Sequence, residues 1–194
     1  MIGSLVRAGA NCNQADRSGV TPLWVGSFNG HLGSVKALLE SGADINKART
    51  DTGTTPLYIA CQNGHVSIVE ALLGRGADVN QARTDDGSTP ASIASQKGHT
   101  LILKSLLDAR ADISKLLTSG PNKGASALWA AAFSGRSECL DQLLAASCDV
   151  NARTDDGRSP LDIATAKGHA HMAQQLVLAG ATPSVAAGAC SSSS

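Results

Sequence analysis

The sequence predicts an all-α solenoid of antiparallel helix pairs, joined by projecting hairpin-like fingers. Three observations favour this architecture. The hexapeptide ARTDDG occupies residues 82–87 and returns at 152–157, with a near copy, ARTDTG, at 48–53. A fixed period of about 20–50 residues is typical of repeat proteins. Each unit also carries two short apolar runs at helical spacing. The units align on Pro22, Pro56, Pro90, Ala127 and Pro160, which are 34, 34, 37 and 33 residues apart.

One unit shows why each element is expected. Thr55 can accept an orphan backbone N–H as an N-cap, and Pro56 suits the first helical position. Gly64 tolerates the left-handed conformation that ends a helix. A second helix is expected to begin near His65 and to end at Gly76. Two such short helices cannot bury both of their faces alone, so the next pair must cover them.

The repeated hexapeptide lies between one helix pair and the next. Asp and Gly favour a tight turn there, with a positive φ at the glycine. The phrase is therefore predicted to form the tip of a finger that projects from the stack.

Residues 55–88 read TPLYIACQNGHVSIVEALLGRGADVNQARTDDGS and resemble the ankyrin repeat. The resemblance covers residues 1 to about 182 and implies a half repeat at 1–20. Full repeats then start near residues 21, 55, 89, 126 and 159. Residues 183–194 are low in complexity, and we expect them to be disordered.

The chain departs from the family pattern at several positions. Where ankyrin repeats usually carry a histidine, it has Trp24, Tyr58, Ser92, Trp129 and Asp162. Ala91 replaces a usual leucine, and Arg136 replaces the histidine that begins the second helix. These departures are expected to alter local packing while leaving the fold intact.

Composition narrows the class of function. Sixteen basic and sixteen acidic residues cancel, so a basic footprint for nucleic acid is absent. No apolar stretch approaches the roughly 20 residues that span a bilayer. The five cysteines are odd in number and unclustered, which fits reduced thiols in the cytoplasm or nucleus. We therefore expect an intracellular chain that binds neither nucleic acid nor membrane.

Catalytic and metal-binding patterns are absent from the sequence. Neither a nucleophile elbow nor a phosphate-binding loop occurs. His31, His65 and His99 recur every 34 residues, but helices pack about 8–10 Å apart, too far for one metal. We expect these histidines to hydrogen-bond neighbouring backbone instead. The predictions are no catalytic residue, no metal site, no cofactor and no enzymatic activity.

The resemblance implies a protein-interaction module with a concave surface built from fingers and first helices. We expect a protein or peptide partner and a monomeric chain. The predicted contact residues are Trp24, Phe28, Asn29, Tyr58, Gln62, Asn63, Asp85, Asp86, Gln96, Lys97, Lys123, Trp129, Phe133, Asp155, Asp156 and Arg158. The alternative is a regulatory or targeting segment of a larger protein whose catalytic domain lies elsewhere.

Two further expectations concern single repeats. The segment 114–125 carries three extra residues, and it is expected to form a longer, more mobile and locally positive loop that interrupts the fingers. Leu116 and Leu117 are expected to pin the base of this loop. The pairs Trp24/Phe28 and Trp129/Phe133 are i, i+4 neighbours, so each should share one helical face.

Overall fold

The computed structural model describes residues 11–183, and within this range ten helices form five consecutive pairs. The first helices of the pairs are α1 (Pro22–Phe28), α3 (Pro56–Asn63), α5 (Pro90–Lys97), α7 (Ala127–Ser134) and α9 (Pro160–Ala166). The second helices are α2 (Leu32–Glu40), α4 (Val66–Leu73), α6 (Thr100–Asp108), α8 (Ser137–Ala145) and α10 (Ala170–Leu178). Residues 1–10 of the predicted half repeat and residues 184–194 of the low-complexity tail lie outside the described residues.

Each first helix begins as the sequence predicts, at a hydroxyl N-cap. The capping side chain accepts a hydrogen bond from the backbone N–H three residues later, as Thr55 does from Tyr58 at 3.0 Å. Thr21, Thr89, Ser126 and Ser159 form the same cap. One feature repeated five times therefore sets the register of all five pairs.

The core runs through the stack as one continuous layer. Successive first helices contact one another in an unbroken row from α1 to α9, and α2, α4, α6 and α8 also contact in sequence. Leu72, Leu106 and Leu143 occupy the same position of successive second helices and are fully buried. Cys139 is buried beside them, as expected of a small core residue. Each pair thus covers the apolar face of its neighbour.

The recurring Gly-His step joins one pair to the next. Gly64 has φ +79°, and a side chain there would strike the ring of His99, which lies against it. The ring nitrogen Nε2 of His65 lies 3.0 Å from the carbonyl oxygen of Phe28, and that of His99 lies 3.2 Å from Gln62. The predicted histidine–backbone hydrogen bonds are confirmed at these two positions. In the repeat that begins at residue 126, Arg136 replaces the histidine, and its Nε donates a hydrogen bond to the Gln96 carbonyl.

The fingers form a row held by backbone hydrogen bonds. We name their tips finger A (14–20), finger B (47–54), finger C (81–88), finger D (115–125) and finger E (152–158). Fingers B to E each donate one backbone N–H to a carbonyl of the preceding finger. These bonds are Thr50 to Ser18, Thr84 to Thr52, Thr118 to Asp86 and Asp155 to Lys123, all between 2.8 and 3.0 Å.

Finger D joins this row on both sides, so the expectation that it interrupts the fingers is wrong. Its extra residues bulge at the tip while the bonded backbone keeps the register. Leu117 packs against the core as expected, but Leu116 is 42% exposed and does not pin the base. Lys123 forms an ion pair with Asp155 at 2.8 Å, so the charge of this lysine is balanced by the next finger.

Candidate binding surface

The fingers and the first helices face each other along the stack, and we call the area between them the finger–helix surface. The predicted contact residues differ in exposure. Exposed are Phe28, Asn29, Asn63, Asp85, Gln96, Lys97, Lys123, Asp155 and Asp156; half-buried are Trp24, Gln62, Asp86, Phe133 and Arg158. Tyr58 and Trp129 are only 2% exposed, so in the free chain they form part of the core rather than of the surface.

Three aromatic rings on the first helices lie beneath arginines from the following fingers. The guanidinium carbon lies 5.3 Å from the ring centroid in Trp24/Arg49, and 5.6 Å in Tyr58/Arg83 and Trp129/Arg158. Cation–π attraction favours this placement within about 6 Å. The arginine of the repeated hexapeptide therefore has a structural partner in fingers B and C.

The second copy of ARTDDG adopts a different register from the first. In finger C the N–H of Arg83 bonds the Ser88 carbonyl, whereas in finger E the N–H of Thr154 bonds the Arg158 carbonyl. The hydrogen-bonded turn in finger E is therefore one residue shorter than the turn in finger C. As a result Arg158, outside the hexapeptide, covers Trp129, while Arg153 pairs with Asp162 at 3.4 Å.

The two i, i+4 aromatic pairs are stacked as predicted. Trp24 and Phe28 have ring centroids 5.3 Å apart at an interplanar angle of 12°, and Trp129 and Phe133 are 5.1 Å apart at 14°. The two phenylalanine rings differ in exposure, because Phe28 is 44% exposed while Phe133 packs against the core. The ammonium of Lys167 also lies 4.5 Å above the Phe133 ring. Phe28 is therefore the more accessible of the two.

The charges on the fingers are largely paired within the chain. Arg49 pairs with Asp51, Arg83 with Asp85 and Asp86, and Arg158 with Asp156. The hydrogen bond from Arg158 lowers the pKa of Asp156, and the bond to Asp155 raises the pKa of Lys123. The acidic turns that the sequence offered as contact residues are thus engaged in local ion pairs.

The first-helix side of the surface carries cations that lack such partners. Lys97 lies at the end of α5 and Lys167 directly after α9, and neither forms an ion pair with any residue in 11–183. The corresponding ends of α1 and α3 carry the neutral amides Asn29 and Asn63. The surface is therefore neutral towards one end of the stack and positive towards the other.

A cavity of about 350 Å³ opens near the middle of this surface, between Tyr58 and Trp129. Its lining includes Ser92 and Leu117, which the sequence analysis did not select as contact residues. The sequence did contain an indication of the cavity, because Ser92 is the smallest residue at the position where three other repeats carry an aromatic ring. The extra residues of finger D contribute the other side of the lining.

Features that would support other functions are few in the described part of the chain. Residues 11–183 contain no cluster of three or more His, Cys, Asp or Glu side chains able to hold a metal ion. No helix in that range has both the length and the apolar character needed to cross a bilayer. Burial raises the pKa of the Cys61 thiol far above its usual range and that of Cys148 to about 11, so neither is an activated nucleophile.

Comparison with protein families matches this architecture along nearly the whole described chain. A model for three copies of the ankyrin repeat matches residues 46–116 and 111–187, and a single-repeat model matches residues 18–51. The chain belongs to the ankyrin-repeat family. Ankyrin repeats are generally protein–protein interaction modules and are typically non-catalytic. No individual curated protein matches the sequence.

Proposed function

We propose that this ankyrin-repeat array is a non-enzymatic module that binds a protein or peptide in extended form along the finger–helix surface. The observation that carries the proposal is Phe28, a large aromatic ring left 44% exposed on that surface although it stacks on Trp24. Exposed aromatic residues are favoured anchors at interfaces. Phe133 supplies a second, shallower anchor three repeats away.

The spacing of the two phenylalanines suggests the size of the bound segment. Three helix-packing steps separate α1 from α7, on the order of 30 Å. An extended chain of roughly nine residues, at about 3.3 Å each, spans that distance. Gln62, Gln96 and Lys97 lie between the anchors and offer polar contacts to its backbone and side chains.

The charge distribution favours a partner with acidic residues at one end. Lys97 and Lys167 have no acidic partner within residues 11–183, whereas the finger charges are paired with one another. Charge complementarity steers association and fixes the direction of binding more than it raises affinity. The acidic end of the partner is therefore expected to lie over the repeats that begin at residues 89, 126 and 159.

The test uses the whole chain as bait, followed by calorimetry with the captured partner. Phe28→Ala is expected to weaken binding by about 1–3 kcal/mol while leaving the melting temperature nearly unchanged. Phe133→Ala is expected to weaken binding and also to lower the melting temperature, because its ring packs against the core. Lys97→Glu should slow association in low salt.

Leu101→Ala is the matched control. Leu101 is 66% exposed and lies on α6, a second helix, away from the proposed surface. Its removal deletes a similar apolar area and should leave binding unchanged. If Leu101→Ala weakened binding while the Phe28 variant did not, the partner would lie on the second helices and the proposal would fail.

A further inference from the structure

The cavity occurs where the row of ring-and-arginine pairs is broken. Trp24, Tyr58 and Trp129 each fill the third position after the N-cap of their first helix, and each is covered by an arginine. In the repeat between Tyr58 and Trp129 that position holds Ser92, whose hydroxyl instead accepts the Thr89 backbone N–H. The ring that would fill the space is absent from this repeat.

The covering arginine is absent from the same place. In finger C, the backbone N–H of Arg83 donates to the Ser88 carbonyl, and the Arg83 carbonyl accepts the N–H of Gly87. In finger D, the backbone N–H of Leu117 donates to the Ala125 carbonyl, and the Leu117 carbonyl accepts the N–H of Gly124. Leu117 therefore occupies the arginine position of finger D. Both halves of one ring-and-arginine pair are thus replaced by smaller groups, which accounts for the volume of about 350 Å³.

The lining of the cavity combines small exposed parts of two buried aromatic rings with neutral and charged polar groups. Tyr58 and Trp129 form part of opposite sides, and Ser88, Ser92 and Gln96 contribute hydroxyl and amide groups. Segment 120–122 of finger D, which falls in the lengthened part of that finger, completes the rim. Ligand pockets in proteins begin at about 300 Å³, so the space accepts one ring with its immediate attachment.

We propose that this cavity binds the tyrosine side chain of the extended partner, whose ring takes the place that Ser92 leaves open; this inference rests on the proposed function. Three other repeats hold an aromatic ring beneath an arginine at this position, and here Lys97 lines the cavity and can lie against an added ring. The phenol of Tyr58 already bonds the Ser88 hydroxyl at 3.1 Å, which shows how this hydroxyl-rich lining accommodates a phenol. The Ser88 and Ser92 hydroxyls lie 3.0 Å apart; Ser92 is already bonded to the Thr89 backbone, and Ser88 keeps one acceptor site for a second phenol.

Charge disfavours the other side chains of similar size. Arg83 and Lys97 both line the cavity, while the carboxylate of Asp86 is already engaged by Arg83 at 3.7 Å. A partner arginine or lysine would meet like charge. A carboxylate of the partner would be attracted to Lys97, but it lacks the ring that fills this position in three other repeats.

The experiment titrates the full chain with 4-methylphenol, the tyrosine side chain as a free molecule. Nitrogen-15 NMR follows the indole N–H of Trp129 and the side-chain amide of Gln96. We expect saturable shifts of both signals at a dissociation constant on the order of 1 mM. The double variant S92Y/L117R restores the ring-and-arginine pair and should weaken binding by at least about tenfold while keeping the melting temperature.

Two controls make the result decisive. Ser92→Ala leaves the cavity open and should retain binding, whereas 4-methylcyclohexanol, equal in size but without a π face, should bind far more weakly. Equal binding of the two probes, or undiminished binding to S92Y/L117R, would overturn the proposal. If the double variant fails to fold, Ser92→Tyr alone fills the space and takes its place. An absence of saturable shifts together with Phe28-dependent capture of a protein would reject the tyrosine site while leaving the proposed function standing.

Discussion

The guanidinium of Arg83 lies over the ring of Tyr58, 5.6 Å from its centroid, and joins finger C to the first helix of the same repeat. Tyr58 is 2% exposed, so the arginine and the core together enclose its ring. The same arginine pairs with Asp85 and Asp86 on its own finger. Arg83 therefore stabilises finger C internally and also connects it to the first helix of the pair.

Replacing Arg83 tests the value of this arrangement. Arg83→Met is expected to lower the free energy of unfolding by about 1 kcal/mol, the sum of a modest cation–π term and a weak ion pair. Arg83→Lys should recover less than half of that loss, because a lysine ammonium is not planar and cannot stack on the ring as a guanidinium does. Urea unfolding measures both values. Arg75→Met, at an exposed arginine after α4, is the control and should change stability by less than about 0.5 kcal/mol.

Two repeats carry a strained residue at the end of the second helix. Arg110 has φ +61° and Ser147 φ +58°, where the other repeats place Gly42, Gly76 and Gly180. A side chain in this left-handed region costs roughly 1 kcal/mol or more. Arg110→Gly should therefore raise the free energy of unfolding by about 1 kcal/mol in the same urea assay. Arg110→Ala removes the charge but keeps the Cβ, and a comparable gain from it would show that strain is not the cause.

Sequence reasoning reached the architecture because its signals are local. A hydroxyl followed by proline, a glycine at a helix end and apolar residues at helical spacing each act within one repeat, and the five repeats agree except that Ala127 replaces the proline. The predicted start at Thr55 is confirmed, although α4 ends at Leu73, before the left-handed Gly76.

The site was harder to predict because it depends on contacts between a first helix and a finger that are distant in the sequence. Nothing in the hexapeptide itself shows that Arg83 covers Tyr58 in one copy while Arg153 turns to Asp162 in the other. That difference follows from a single deleted residue between Asn151 and the hexapeptide. The cavity likewise requires Ser92 and Leu117, 25 residues apart in the sequence, to be placed in one position of the stack.

The ion pair of Asp156 predicts a pH dependence of stability. The hydrogen bond from Arg158 lowers the pKa of Asp156 in the folded chain. This carboxylate therefore stabilises the fold above its unfolded pKa, about 3.9, and the contribution is lost as the pH falls through the lower folded value. Asp156→Asn should melt below the wild type at pH 6, and the difference should disappear towards pH 2. Glu40→Gln, at a carboxylate without an ion pair among the described residues, should show a smaller dependence in the same thermal scans.

The buried thiols predict an order of chemical modification. Cys61 and Cys139 are fully buried, and burial raises the pKa of both. Because the thiolate is the reactive form, iodoacetamide at pH 8 should leave both unmodified in the folded chain. Unfolding in urea should expose them to rapid alkylation, and peptide mass spectrometry reports each site separately. Alkylation of Cys61 without urea at the rate seen in its presence would mean that the repeat beginning at residue 55 opens readily.

The last prediction concerns a row of asparagines that bridges successive repeats. The side-chain oxygen of Asn46 accepts the backbone N–H of Asp78 at 2.9 Å, and that of Asn80 accepts the N–H of Asp112 at 2.7 Å. Asn13 and Asn151 form the same bridge. Ser114 occupies this position in its own repeat, and its short hydroxyl bonds Asp112 instead.

Ser114→Asn should therefore extend the row to Asp149 of the next repeat. A net hydrogen bond of this kind contributes about 1 kcal/mol, so the variant is expected to unfold at higher urea concentration. The reciprocal change, Asn80→Ser, removes an existing bridge and should destabilise the chain by a similar amount. Hydrogen exchange at the Asp149 amide supplies the site-specific check, since the new bond should slow it. Faster or unchanged exchange there, with no gain in stability, would show that the three extra residues of finger D hold Asp149 out of reach of an asparagine at 114.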